Sequence, residues 1–157
     1  MSSGLDRLSE RIRGELVELK QVLHRVEEGW QRVEQSGDEY YLDGIALNLH
    51  GFYNGLERIF ERIATVVDGS LPQAENWHQM LLKQMAGEIM GIRPAVISEQ
   101  TYHQLDEFRG FRHVVRNVYT FKFDQIKLGN LVAKAAPLLK QVETELLAFA
   151  EFLEEAN

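Results

Sequence analysis

Residues 38–67 read DEYYLDGIALNLHGFYNGLERIFERIATVV, and this stretch decides the fold of the chain. Its large apolar residues follow one another in steps of three and four, which is the repeat of one face of an α-helix. They are Leu42, Ile45, Leu49, Phe52, Leu56, Ile59, Ile63 and Val66. Asp38 is suited to cap the start of the helix, and the turn-forming residues 68–72 end it. We therefore predict one long amphipathic helix here.

Four further helices flank this one in the sequence. The helix before it carries the same apolar spacing and ends near a glycine, which suits the position just after a helix. A short helix follows it, and the last two helices begin at capping residues. Their predicted limits are Leu5 to about Gly37, about 73 to 89, Ser98 onward, and Asp124 to about Glu155.

Long helices joined by short turns predict an all-α fold, an up-and-down helical bundle of four to five helices. The sequence shows no convincing strand and no internal repeat. Pro137 lies inside the last helix and should kink or interrupt it. A length of 157 residues fits one helical domain spanning residues 1–157. A second copy would cover any apolar face left over, which predicts a homodimer.

The composition limits the classes of function. Hydrophobic residues make up 45% of the chain and charged residues 26%, as in globular proteins, and no apolar run is long enough to span a membrane. The absence of cysteine excludes disulfides and thiolate metal sites, and it favours a cytoplasmic location. The net charge of −7 argues against a large nucleic-acid footprint, although it leaves room for a local cationic patch.

Such a patch is predicted from residues 109–119, which read RGFRHVVRNVY. Arg109, Arg112 and Arg116 are spaced by three and four residues, so they share one face of a helix, and Lys122 follows. Guanidinium groups bind phosphate oxygens in pairs, which points to a phosphodiester ligand. The alternative is a solvated helix face whose arginines pair with the nearby carboxylates of residues 106, 107 and 124.

A second polar set lies on the predicted helix of residues 38–67. His50, Tyr53, Asn54 and Glu57 recur at helical steps and therefore share a face. We predict that this face lies opposite the arginine-bearing helix, with Glu57 orienting an arginine and His50 near the same pocket. A solvated or dimer-facing stripe is the alternative.

Common enzyme signatures are absent from the sequence. No pair of histidines has metal-ligand spacing, and Glu75 with His78 forms the only Glu-x-x-His step, whereas a di-iron bundle needs two. There is no phosphate-binding glycine loop and no nucleophile elbow. We therefore expect neither a metal nor a cofactor.

Two segments carry a family resemblance. Residues 40–60 (YYLDGIALNLHGFYNGLERIF) and residues 111–124 (FRHVVRNVYTFKFD) resemble the second helix and the signature segment of HepT-like HEPN-domain proteins. The resemblance implies an all-helical, commonly dimeric protein. It also implies a metal-independent ribonuclease toxin that acts on RNA and is paired with a minimal nucleotidyltransferase antitoxin.

The family signature is Arg, four residues, His, one residue, Tyr. Arg112 and Tyr119 match it, but Asn117 occupies the histidine position. An amide cannot exchange a proton near neutral pH, and the loss of a general acid or base costs roughly 10²–10⁴-fold in rate. His113 and His50 are the candidates to replace it. The resemblance also implies that Tyr119 is the residue to which the antitoxin attaches AMP.

The leading hypothesis is therefore an RNA-cleaving toxin in which Arg112 polarises the scissile phosphate. Other residues would bind and position the substrate, namely Arg109, Arg116, Lys122, Asn117, Glu57 and Tyr53, while His113 or His50 handles the proton. The alternative is a catalytically reduced binding module that docks a nucleotidyltransferase or a nucleotide. A scaffold bundle without a ligand is a third hypothesis.

Overall fold

The computed structural model describes residues 3–156; of the predicted domain, residues 1, 2 and 157 lie outside the described part. The described chain forms five α-helices, which confirms the predicted all-α bundle. They are α1 (Gly4–Ser36), α2 (Tyr41–Ile63), α3 (Trp77–Ala86), α4 (Glu99–Asn117) and α5 (Gln125–Glu155). A π-helical turn, Ala64–Asp68, extends α2, and a 3-10 turn, Thr120–Lys122, joins α4 to α5. Between residues 3 and 156 there is no strand, only an isolated bridge between Ile89 and Arg93.

The helix ends follow the capping chemistry of the sequence. Gly37 adopts a left-handed φ of 69° and closes α1 with a hydrogen bond from its N–H to the carbonyl of Val33. The side chain of Ser98 accepts a hydrogen bond from the N–H of Thr101, and Asp124 caps α5 in the same way. These contacts confirm the predicted end of α1 and the predicted starts of α4 and α5.

The longest helices pack antiparallel around α1. Side-chain contacts pair the start of α1 with the end of α5, as in Arg13 to Glu154, and the end of α1 with the start of α5. There, the ring of Trp30 lies so close to Gly129 that a Cβ on that glycine would stand 2.6 Å from the ring. On α2, a Cβ at Gly55 would likewise stand 2.6 Å from the side chain of Leu19. Small residues thus let α1 approach both neighbours closely and bury its apolar stripe.

The shorter helices α3 and α4 lie on the outer side of α2. Phe52 of α2 meets Phe108 of α4 edge to face, with ring centroids 5.8 Å apart. The segment after α3 is fixed by Arg93, whose buried guanidinium pairs with Asp68 at 2.6 Å. This arrangement places α3 between the end of α2 and the middle of α4, which is where the polar residues gather.

Four details differ from the sequence-based prediction. Asp38 does not cap α2, because the residue before its first turn is Tyr40, which makes no side-chain capping bond; Asp38 accepts from the N–H of Tyr40 instead. Helix α3 covers residues 77–86 only, shorter than the predicted 73–89. Val66 is 44% exposed because the π-helical turn shifts the register of α2 at its end. Pro137 does not interrupt α5, which continues from Gln125 to Glu155. None of the helices described is both long and apolar enough to cross a membrane.

Candidate functional site: a histidine between a carboxylate and an arginine

Three helices contribute to one chain of polar contacts. Glu57 of α2 is buried, with 6% of its surface exposed, and its Oε2 lies 2.7 Å from Nδ1 of His78 on α3. The opposite ring nitrogen of His78, Nε2, lies 3.2 Å from Nη1 of Arg112 on α4. A histidine is therefore held between a carboxylate and a guanidinium at the point where α2, α3 and α4 meet.

The protonation of the His78 ring follows from these partners. A guanidinium only donates hydrogen bonds, so Nε2 of His78 must accept from Arg112. A neutral imidazole that accepts at Nε2 carries its proton on Nδ1, and that N–H donates to Glu57. The ring also stacks on the neighbouring Trp77, with centroids 3.6 Å apart. The result is a neutral, oriented imidazole whose Nε2 lone pair accepts from an arginine.

Unpartnered donors gather beside this contact chain. Among residues 3–156, three buried side-chain nitrogen or oxygen atoms have no hydrogen-bond partner in the protein: Nδ1 of His50, the hydroxyl of Tyr53 and Nε of Arg112. The Asn54 amide, 3.0 Å away, donates to Nε2 of His50, so Nδ1 of that ring carries the proton. All three atoms are therefore N–H or O–H donors. A buried donor without a partner costs about 1–3 kcal/mol, so any acceptor that reached these atoms would be stabilised there.

The electrostatics show that these donors share one environment. Burial is the largest cause that lowers the pKa of His50, and the positive charges of Arg112 and Arg116 lower it further. The negative charge of Glu57 opposes this shift. Burial likewise raises the pKa of the Tyr53 hydroxyl, with a contribution from Glu57, so this hydroxyl keeps its proton near neutral pH. Burial and Glu57 also raise the pKa of Glu61, one turn further along α2. His50 and Tyr53 both lie near enough to Arg112 to feel its charge.

The arginines of α4 have different surroundings. Arg109 donates from Nε to Asp106 at 2.6 Å, so the ion pair weighed as an alternative forms at this residue. Arg116 is exposed, and no described residue pairs with it. Lys122 is exposed as well, with its ammonium 6.0 Å from the ring centre of Phe121. Arg116 thus adds a free positive charge near His50, as Arg112 does, while Arg109 is already paired with Asp106.

The signature residues at the end of α4 contact each other instead of Arg112. Asn117 donates from its amide to the carbonyl of His113 at 2.8 Å, and the same amide lies 3.2 Å from Nδ1 of the His113 ring. Both side chains are exposed. Within residues 3–156, no hydrogen bond joins either of them to Arg112.

Tyr119 lies beyond the end of α4, in extended backbone before the 3-10 turn. It is 73% exposed, and its ring stacks on that of Phe121 with centroids 5.7 Å apart and an angle of 10° between the planes. Its hydroxyl is therefore open to a second protein, as modification would require.

His78 was not predicted as a site residue from the sequence. In the sequence, His78 stood out only as part of a Glu-x-x-His step. Within residues 3–156 no group of three or more His, Asp or Glu side chains is arranged to hold a metal ion. Glu57 was expected to orient an arginine, and in the structure it reaches Arg112 through the His78 ring. The available signal was weak, because the three residues lie on three different helices and share no local spacing.

Two surface hollows lie elsewhere. One of about 500 Å³ lies between the α1–α2 turn and the 3-10 turn, and one of about 560 Å³ lies between α4 and α5. Neither hollow is lined by Arg112 or His78. The donor-rich site is therefore separate from both of them.

Comparison with known proteins adds one assignment. The family described as HepT-like protein matches residues 44–153, a range that contains Glu57, His78 and Arg112. No curated protein and no solved structure matches the chain. The match extends from the first turn of α2 almost to the end of α5, well over half of the sequence, and it agrees with the all-helical fold. The chain belongs to the HepT-like protein family.

Proposed function

We propose that the protein is a toxin-type, metal-independent endoribonuclease of a toxin–antitoxin pair, in which Arg112 polarises the scissile phosphate. One observation carries the proposal: within residues 3–156 Arg112 makes a single hydrogen bond, to His78, and two unpartnered donors, on His50 and Tyr53, lie within reach of its charge. An RNA phosphate would bind Nη2 of Arg112, which makes no hydrogen bond within residues 3–156 and is not among the buried unpartnered atoms. The family membership supports a toxin–antitoxin role at the coarser level.

The chemistry suits this arrangement. The 2′-oxygen of the RNA attacks the adjacent phosphorus, and negative charge accumulates on the non-bridging oxygens. A guanidinium held in place before the reaction stabilises that charge without the reorganisation that water would need. Arg112 is held in this way, because its Nη1 is bound to His78 and its Nε is turned into the protein.

The neighbouring cations would bind the phosphates on either side. Arg116 and Lys122 are free to do so, whereas Arg109 must first leave Asp106, so its contribution is expected to be smaller. Tyr119 is proposed as the AMP acceptor on the strength of its exposure. A homodimer, a nucleotidyltransferase antitoxin and a cytoplasmic location complete the proposal, and the family resemblance is what supports them.

The second candidate function is a non-catalytic module that binds nucleotide or a nucleotidyltransferase. The observation in its favour is Asn117, which stands at the signature histidine position and turns its amide back to its own helix. In this case, the same donor-rich site would bind a phosphate group without cleaving it.

Cleavage of a tRNA and mRNA mixture in EDTA separates these functions. We expect wild type to cleave and Arg112→Ala to lose about 10²–10³-fold in rate, as when one transition-state donor is removed. Arg25→Ala is the matched control, because Arg25 is an exposed arginine on α1. If wild type does not cleave, or if Arg112→Ala cleaves as fast as Arg25→Ala, the ribonuclease proposal is wrong. Saturable AMP binding without cleavage would support the binding module.

A further inference from the structure

We propose that His78 of α3, not a residue of the signature segment, exchanges the proton in RNA cleavage, and that Glu57 is its positioning residue. The inference rests on the proposed ribonuclease function and deepens it. Its basis is the contact chain in which the buried Glu57 holds one nitrogen of His78 while the other nitrogen lies 3.2 Å from Arg112.

The distances put the reacting atoms within reach of His78. A phosphate oxygen bound to a guanidinium lies about 2.7–2.9 Å from its nitrogen. Because Nε2 of His78 is itself 3.2 Å from Nη1 of Arg112, a phosphodiester seated on this guanidinium would have its ribose within reach of this nitrogen. Nε2 then exchanges its hydrogen bond from Arg112 for one from the 2′-hydroxyl. General base catalysis requires such direct hydrogen-bond contact.

The surroundings of His78 suit a group that changes its charge during the reaction. Its side chain is 23% exposed, so a substrate can reach it, and Glu57 at Nδ1 is 93% buried at the side chain. A buried carboxylate at Nδ1 fixes the tautomer and stabilises the imidazolium that forms. No other histidine in residues 3–156 has a carboxylate partner buried to this degree.

The other histidines are less suited to the role. Nε2 of His50 accepts from Asn54 of its own helix, so, unlike Nε2 of His78, its lone pair does not lie at the guanidinium that is proposed to bind the phosphate. Its pKa is also lowered by burial and by Arg112, which weakens it as a base. His113 is exposed at the end of α4 and is bound to Asn117. His24 and His103 are exposed and face glutamates on their own helices.

The proposed step balances. Nε2 of His78 takes the proton of the 2′-hydroxyl, the bond between O2′ and phosphorus forms, and the bond between phosphorus and O5′ breaks. The imidazolium then returns its proton to O5′. The products are a 2′,3′-cyclic phosphate and a 5′-hydroxyl, and His78 ends as it began. Neither Asn117 nor a metal ion is needed for the proton.

The test compares variants of the full chain in the EDTA cleavage assay. We expect His78→Gln to lose about 10²–10⁴-fold in rate, and His103→Gln, an exposed histidine on α4, to cleave like wild type. A folded His78→Ala protein should regain activity when imidazole is added, whereas Arg112→Ala should not. Imidazole rescue replaces a lost proton carrier and would not repair a structural defect. Glu57→Gln should keep part of the activity and change its pH dependence.

The outcomes separate this inference from the proposed function. If wild type does not cleave RNA, the ribonuclease proposal fails and the role of His78 fails with it. If wild type cleaves and Arg112→Ala does not, but His78→Gln cleaves normally, the inference about His78 alone is wrong. Cleavage that depends on His113 or His50 and not on His78 contradicts it in the same way. A large loss in His78→Gln together with imidazole rescue supports it.

Discussion

Two arginines of this chain make opposite use of the same functional group. Arg93, in the segment after α3, is fully buried at its side chain, and all five of its N–H groups have acceptors: two on Asp68 and three on backbone carbonyls. Arg112 on α4 has one hydrogen bond, to His78, and a buried Nε with no partner. A guanidinium with every donor satisfied can only hold the protein together. A guanidinium with donors to spare is available to a ligand.

Of the substitutions that test this contrast, replacement of Arg93 should reduce stability the most. Arg93→Met leaves the Asp68 carboxylate buried and unpaired, so we expect the free energy of unfolding to fall by about 3–5 kcal/mol. Urea denaturation followed by circular dichroism measures it. Arg25→Met, on the exposed face of α1, should change stability by no more than about 0.5 kcal/mol. A similarly small change in Arg93→Met would show that the buried pair does not hold this region.

A smaller effect is expected when the other arginine is removed. Arg112→Met deletes an unpartnered buried donor together with one hydrogen bond, so the two contributions oppose each other. We expect the free energy of unfolding to change by less than about 1 kcal/mol under the same denaturation conditions. A loss as large as that of Arg93→Met would mean that Arg112 is a structural residue, and the contrast between the two arginines would disappear.

The smallest effect concerns His50, beside Arg112. Its pKa in the folded protein lies below its ordinary value, so at intermediate pH the unfolded chain binds more protons than the folded one, and stability falls as the pH falls. Arg112→Met removes one positive charge and should raise the pKa of His50 towards its ordinary value. Burial, the larger cause, remains, so the shift should be partial. An NMR titration of the His50 ring measures it, and an unchanged pKa would place Arg112 too far away to matter.

The fold was largely predictable from the sequence, because the apolar repeat and the capping residues of each helix lie close together along the chain. The apolar stripes of α1, α2 and α5 repeat within each helix, and Gly37, Ser98 and Asp124 mark helix ends through contacts a few residues away. The predicted helix limits and buried positions are wrong where the regular α-helical repeat ends. The π-helical turn after α2 exposes Val66, and the loops on both sides of α3 shorten that helix.

The candidate site was predictable only in part. Arg112 and Glu57 were both singled out from helix spacing, but the residue between them was not. His78 meets residues that lie 21 and 34 positions away, and no helical repeat links such distances. The same is true of Arg93 and Asp68, which are 25 positions apart. Contacts that cross helices depend on how the helices pack, and the sequence pattern of a single helix does not contain that information.

The most direct test of the role of Arg112 measures stability and RNA cleavage on the same protein sample. Arg112→Met is first shown by denaturation to be as stable as wild type, and the same sample is then incubated with RNA in EDTA while 2′,3′-cyclic phosphate ends are counted. We predict abundant cyclic ends from wild type and almost none from the folded variant. A folded Arg112→Met protein that produces cyclic ends at the wild-type rate would contradict the claim that this guanidinium is held ready for an RNA phosphate.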